Sequence, residues 1–398
     1  MYGSLVRSSE PVDPLEEPET AQTRRARTGA AFDREAEIVQ GEGRTRSAKE
    51  TALRVLSICV ALFLFILAIQ MMKTGAAALA PRLQVTRWNA LATLGLGTLL
   101  AYLFLSGKPV TAFALALFTA GGLTKLQTFT MISGGRLGAA FIVLLIGFLY
   151  AIRGTNRRDS LGVGVLALLL TASVYVPAMF IGYGLLKSGA LNGVHLTSAP
   201  LQKTIDVIYG PIVDKLAAGL PDPLLLPLGG ALIVVALKVL DRLLPEVDGA
   251  RRVEGDGHGI RGRWPMFFLG LVITLVTISV SVALTILVPL TAKGQISRRQ
   301  AVPYIMGANV ATMIDNLIIS VVYGNPVGVQ IVLAEFCAVA LVTGLLLAFV
   351  YRPLCNSVLT VDEWVVDRSW HLTLFVSIIF ILPVLLIALG FLMGPTVR

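Results

Sequence analysis

The sequence predicts an all-α polytopic membrane protein made of two inverted repeats with re-entrant helical hairpins, about 8–10 transmembrane segments in all. Three observations predict it. Hydrophobic residues make up 55% of the 398 and charged residues 14%, against roughly 25% charge in an ordinary globular chain. The apolar residues gather in runs that suit bilayer spans of about 20 residues. Two of these runs also repeat. Gly121, Gln127 and Gly134 in GGLTKLQTFTMISGGRLGAA return as Gly294, Gln300 and Gly307 in GQISRRQAVPYIMGANVATM, each pair 173 residues apart (294 less 121, 300 less 127, 307 less 134). Glycine-broken apolar segments at corresponding places in two halves are a sequence trace of transporters built from repeats.

Residues 1–50 are polar, rich in Glu, Arg, Pro and Thr, with no early apolar core. They read as a disordered tail and not as a signal peptide. Arg24, Arg25, Arg27, Arg44, Arg46, Lys49 and Arg54 precede the first span, which places this end in the cytoplasm and suits a multi-pass protein of the plasma membrane. The first repeat is expected over 51–187. Val55–Met72 is its first span, and Trp88–Ser106 its second, stopped at Ser106-Gly107-Lys108-Pro109 where glycine and proline break the helix. Val110–Ala120 is too short to cross and suits half of a re-entrant hairpin. Phe129–Ile152, a basic loop (Arg153, Arg157, Arg158) and Leu161–Leu186 complete the repeat.

A less apolar connector, 188–222, follows. In it Leu201, Ile205, Ile208 and Ile212 recur at near-helical spacing, which predicts an amphipathic helix. The second repeat, 223–351, holds apolar runs at Leu224–Leu244, Trp264–Leu290, Ala301–Val322 and Val327–Tyr351, with an Arg/Gly-rich loop at Arg251–Arg263. Residues 352–398 supply a last span, His371–Met393.

The net charge of +9 is no nucleic-acid footprint, because its Lys and Arg residues sit mainly in the tail and in short loops. Three scattered cysteines (Cys59, Cys337, Cys355) form no disulfide framework, and His195, His258 and His371 have no metal-ligand spacing. No nucleophile–base pair emerges, so an enzyme has little support.

Polar residues inside apolar runs mark the candidate site. Thr274, Thr277, Ser281 and Thr285 fall at i, i+3, i+7 and i+11, as do Asn309, Thr312, Asn316 and Ser320. Such spacing gives each set one helix face, which must turn toward protein or water. Thr274, Thr277 and Ser320 suit helix–helix hydrogen bonding. Ser279, Ser281, Asn309 and Thr312 suit a ligand site, because they flank the glycine-broken region. Asp315 and Glu335 lie within apolar spans, and Lys108 and Arg136 lie at the breaks of the first half. Arg136 or Lys108 paired with Asp315 is electrically sensible, either around a ligand or as a ligand-free ion pair between the repeats. Glu335, near the start of its span, either reaches the interface or belongs to the site.

These residues resemble the type II sodium-dependent phosphate cotransporter family, whose two inverted repeats each carry Gln-Ser-Ser-Ser-Ala-Thr-Thr followed by Gly-Ala-Asn-Ile-Gly-Thr-Thr. GANVATM begins here at Gly307, and AKGQISRRQAVPYIM before it is similar to the family's linking segment. The serine motif falls on Ile278, Ser279, Val280 and Ser281, and in the first half on Leu105, Ser106, Gly107 and Lys108, with GGRLGAA from Gly134 as the second motif. The resemblance runs from about residue 57 to 350 and is strongest over 278–320. It implies phosphate and sodium sites at hairpin tips near mid-membrane, with Ser106, Ser279 and Ser281 as contacts and Asn309 and Thr312 beside them. The chain departs from the pattern at Leu105 and Ile278 (for glutamine), Lys108 (for serine), Arg136 (for asparagine) and Ala311 (for glycine).

A fixed cation beside a sodium site repels Na⁺ by roughly 4 kcal/mol at about 4 Å for an effective dielectric near 20. Lys108 and Arg136 are therefore expected to replace some or all of the sodium charge and to bind the oxyanion, Arg136 through its planar fork. Asp315 then balances them when the site is empty, or takes part in proton coupling. The expected substrate is phosphate or a similar small inorganic anion, moved by alternating access. Sodium is the one coupling ion implied, with no other cofactor or metal. Membrane lipid and a second copy in a homodimer are the expected partners, and nucleic acid is not. A transport-inactive membrane scaffold or regulatory protein of the same fold is the alternative, and a channel or lipid-handling protein comes third.

Overall fold

Long apolar runs leave the backbone one economical solution in a membrane, the helix, which satisfies its own donors and acceptors. The computed structural model describes residues 48–83, 88–152, 157–194, 196–197, 199–243, 262–277, 279–292 and 296–394. The expected tail over residues 1–47, the loops 153–156 and 244–261, and Ile278, Gly294, His195 and His258 lie outside the described residues, as do the side chains of Arg157, Arg158, Ser281 and Thr285. Contacts divide the chain after Leu56, and everything below concerns the unit Ser57–Arg398.

In chain order the helices are α1 (Ala48–Leu83), α2 (Ala90–Phe104), α3 (Lys108–Thr119), α4 (Lys125–Ala139), α5 (Phe141–Ile152), α6 (Arg157–Ser188) and α7 (Ala199–Gly219). They continue as α8 (Leu225–Leu243), α9 (Arg263–Thr277), α10 (Val280–Ala292), α11 (Arg298–Tyr323), α12 (Pro326–Leu345), α13 (Tyr351–Asp367) and α14 (Ser369–Leu392). A π-helical turn, Leu346–Val350, joins α12 to α13. Seven helical stretches among the described residues are long and apolar enough to span a bilayer, and Ala90–Phe104, Lys108–Thr119 and Arg263–Thr277 are shorter apolar helices. The chain is a multi-pass, all-helical membrane protein.

Helix bounds coincide at the offset of 173. α2 begins and ends at 90 and 104, α9 at 263 and 277; α4 begins at 125 and α11 at 298. The reason is local. Thr124 and Gln127 form a capping box at the start of α4, the Gln127 amide donating to Thr124 Oγ1 at 3.3 Å and the Thr124 amide to Gln127 Oε1 at 2.8 Å. Ser297 and Gln300 do the same for α11, at 3.3 and 2.9 Å. Both boxes satisfy donors that a helix start leaves open. α2 lies on α4 and α9 on α11 through glycine contacts. A methyl group at Gly134 would strike the carbonyl oxygen of Leu94, and one at Gly307 that of Phe267, again 173 residues apart. The short helices cross over: α3 packs on α11, and α10 on α5 and α6.

Three expectations need correction. Trp264–Leu290 is not one segment but α9 and α10, parted around Ser279. The stripe Thr274, Thr277, Ser281, Thr285 therefore does not share one helix, since α9 ends at Thr277. In the connector, α7 buries Ile205, Tyr209 and Val213, while Leu201 and Ile208 are exposed. The i, i+4, i+8 face won because Tyr209 and Val213 pack with Leu67, Met71 and Leu225. The other stripe, Asn309, Thr312, Asn316 and Ser320, is buried along α11.

Candidate functional site

α2 ends in a left-handed residue, Leu105 at φ 51°, the one non-glycine with positive φ among the described residues. Such a turn costs a non-glycine residue on the order of 1–3 kcal/mol and persists where surrounding packing enforces it. It reverses the chain through Ser106 and Gly107 so that α3 starts at Lys108. Pro109 sits in the first turn, where its missing N–H costs nothing, and no side chain caps this N-terminus.

Ser106, Gly107, Lys108 and Pro109 line a cavity of about 160 Å³ together with Arg136 of α4, Ser279, Thr312 of α11 and Lys238 of α8. A water needs roughly 10–15 Å³ on this scale, so a tetrahedral oxyanion with some of its hydration fits. Three cations and no carboxylate are among the described lining residues. Two helix starts also meet here, α3 at Lys108 and α10 directly after Ser279. Helix N-termini carry unsatisfied N–H groups and partial positive charge, which favour an anion.

Arg136 is 4% exposed and held on its inner side. Its Nε donates to the Tyr175 phenolic oxygen at 3.3 Å, and one terminal nitrogen donates to Thr312 Oγ1. The Tyr175 hydroxyl donates to the Asn309 carbonyl at 3.3 Å, and the Thr312 hydroxyl donates to the same carbonyl at 2.8 Å. These bonds fix a guanidinium that would otherwise swing on a long stem.

Lys108 is paired: its Nζ lies 3.0 Å from Asp315 Oδ2. Of the two pairings left open for Asp315, the structure therefore contains the lysine one. Asp315 stands behind Lys108 and lines a separate apolar cavity of about 110 Å³ with Leu62, Phe65 and Ile318. Removing one member of such a buried pair costs about 3–5 kcal/mol, since the other charge is left uncompensated.

The cavity thus brings together Ser106, Lys108, Arg136, Ser279 and Thr312. Asn309 stands apart from the lining: its amide donates to Thr171 Oγ1 at 3.1 Å and ties α11 to α6. Ser281 lies in the first turn of α10, its side chain outside the described residues. Glu335 is 1% exposed within α12. The sequence reading passed over Lys238 and Tyr175. A lone lysine inside the run 224–244 was the available signal for the first, and the i, i+4 pair Thr171 and Tyr175 in an apolar span for the second.

Residues 232–392 match the family model described as Na+/Pi-cotransporter. No curated protein and no solved structure matches the chain.

Proposed function

With its membership of the Na+/Pi-cotransporter family supported by that match, a family of transporters and not enzymes, we propose that the chain is a secondary transporter of phosphate or a similar oxyanion. The cavity carries this reading: its described lining residues include Lys108, Arg136 and Lys238 and the hydroxyl residues Ser106, Ser279 and Thr312, and no carboxylate is among them. Such a lining attracts an anion and orients it. Arg136 offers a planar fork to two oxyanion atoms, Lys108 a point charge, and the hydroxyls the remaining hydrogen bonds.

In this reading residues 51–187 and 223–351 are two inverted repeats around the connector 188–222, with 352–398, which holds most of α13 and all of α14, added after them. α3 and α10 are the inner arms of re-entrant hairpins. The equal displacement of helix bounds, capping boxes and glycine contacts supports it. Alternating access follows when one half rocks on the other about the tips, which face a shared site. The protein sits in the plasma membrane with its N-terminus in the cytoplasm, as the arginines before α1 favour.

Lys108 and Arg136 take the place of sodium at the oxyanion. Sodium acts as a co-substrate only if it binds away from them, given their repulsion of roughly 4 kcal/mol at close range. Labelled phosphate uptake into proteoliposomes, with and without a sodium gradient, tests the proposal. Uptake is expected under both conditions and is abolished in K108M/R136M. Absence of uptake by the intact protein would overturn it in favour of a scaffold, and full uptake by the folded double variant would overturn the role given to the two cations.

A further inference from the structure

We propose that Glu335 is the proton-binding group of the transport cycle, so that the oxyanion travels with a proton. The inference rests on the transport reading above.

Glu335 is 1% exposed, and neither of its carboxylate oxygens has a hydrogen-bond partner. The Ser133 hydroxyl, close to it on α4, donates to the Phe129 carbonyl at 3.0 Å. A carboxylate this deep retains its charge only while a cation stays beside it. That cation is Arg136, which faces Glu335 on one side and lines the oxyanion cavity on the other. Arg136 nevertheless gives its hydrogen bonds to Tyr175 and Thr312, so no direct bond binds it to Glu335.

Among the described residues, Arg136 is the cation that acts on Glu335. α12 packs on α3, α4, α6 and α11. Arg136 and Ser133 face the carboxyl from α4, and Tyr175 interacts with it from α6. The nearby charges of α3 and α11, Lys108 and Asp315, are engaged with each other at 3.0 Å. Arg298, at the far start of α11, pairs with Asp362 at 2.8 Å. Asp315 is therefore the poorer proton carrier, because its lysine stays in contact with it.

Charge balance gives the coupling. With the cavity empty, the buried cations Lys108 and Arg136 offset the buried anions Asp315 and Glu335, while Lys238 is exposed and screened by solvent. An oxyanion that claims the charge of Arg136 leaves Glu335 uncompensated. A proton from water joining one carboxylate oxygen restores neutrality, and it leaves again when the oxyanion departs. No covalent bond other than that O–H forms or breaks. One monoanionic phosphate thus carries about one proton.

The test uses the full-length protein in proteoliposomes holding a trapped pH-sensitive dye, with labelled inorganic phosphate outside and both sides starting at about pH 5, where phosphate stays monoanionic and releases no proton of its own on entry. In the wild type, phosphate entry should acidify the lumen at about one proton per phosphate, and an alkaline lumen should accelerate entry. In E335Q the ratio should fall about tenfold or more, while E335D should keep it. Phosphate entry by the wild type with no proton movement overturns the inference and leaves the transport reading standing. Unchanged proton coupling in E335Q does the same. A wild type that moves no phosphate overturns both. The wild-type measurement decides the question even if a variant fails to fold.

Discussion

In the first half, the start of α3 carries Lys108 and the middle of α4 carries Arg136. The positions 173 residues further on hold Ser281 and Asn309. Around these differences the scaffold is the same: a capping box opens α4 and α11, and Gly134 and Gly307 press against the carbonyls of Leu94 and Phe267. Backbone geometry tolerates few residue types at a close helix contact, so glycine and the capping pair stay. Residues that face the cavity answer to the ligand and change with it. The family match covers 232–392, which holds Ser279, Thr312 and one lining cation, Lys238, while the half that holds Lys108 and Arg136 corresponds to it in its helix bounds.

Breaking the cationic side should have the largest effect. R136M should weaken phosphate binding by about 2–5 kcal/mol, roughly 30- to 5,000-fold, because a buried charge-assisted contact is lost. The positional counterpart N309A should cost about 1 kcal/mol and act on stability, since its amide bonds Thr171. Equilibrium binding of labelled phosphate to the purified variants checks both.

K108M should lower stability by about 3–5 kcal/mol by stranding Asp315. K108M/D315L should regain most of that stability in thermal melts without regaining phosphate binding. Recovery of binding in the double variant would show that the lysine serves only as a structural partner.

The scaffold comparison predicts equal effects in the two halves. G134A and G307A should each destabilise by about 1–3 kcal/mol through overpacking. The smallest expected effects are those of T124A and S297A, about 1 kcal/mol each for a lost cap. A cap or glycine that matters in one half alone would mean the halves are less alike than their bounds suggest.

Much of this was legible in the sequence. Glycine, proline and the Thr/Ser–Gln spacing are local signals, so the breaks near 107 and the starts of α4 and α11 could be read directly. The stripe along α11 was also visible, because one uninterrupted helix keeps its period. The split between α9 and α10 was signalled only by the family resemblance, which puts a hairpin tip at Ser279, since Ile278, Ser279 and Val280 continue an apolar run without glycine or proline. The buried face of α7 was misjudged for a similar reason: Tyr209 counts as half-polar by composition, yet its ring packs against Phe63 at 4.9 Å. Lys238 and Tyr175 join the site through tertiary contacts between helices far apart in sequence, which spacing cannot convey. The burial of Glu335 was not legible from its place near the start of a span, because it comes from the packing of α12 against four other helices.

The central claim is that fixed cations at 108 and 136 bind the oxyanion in place of sodium. Phosphate binding to the purified protein, measured at equilibrium in sodium-free choline buffer and again in sodium, tests it most directly. The account predicts the same affinity within about threefold in the two buffers and its loss in R136M. Phosphate binding that vanishes without sodium, or that survives R136M undiminished, would contradict it.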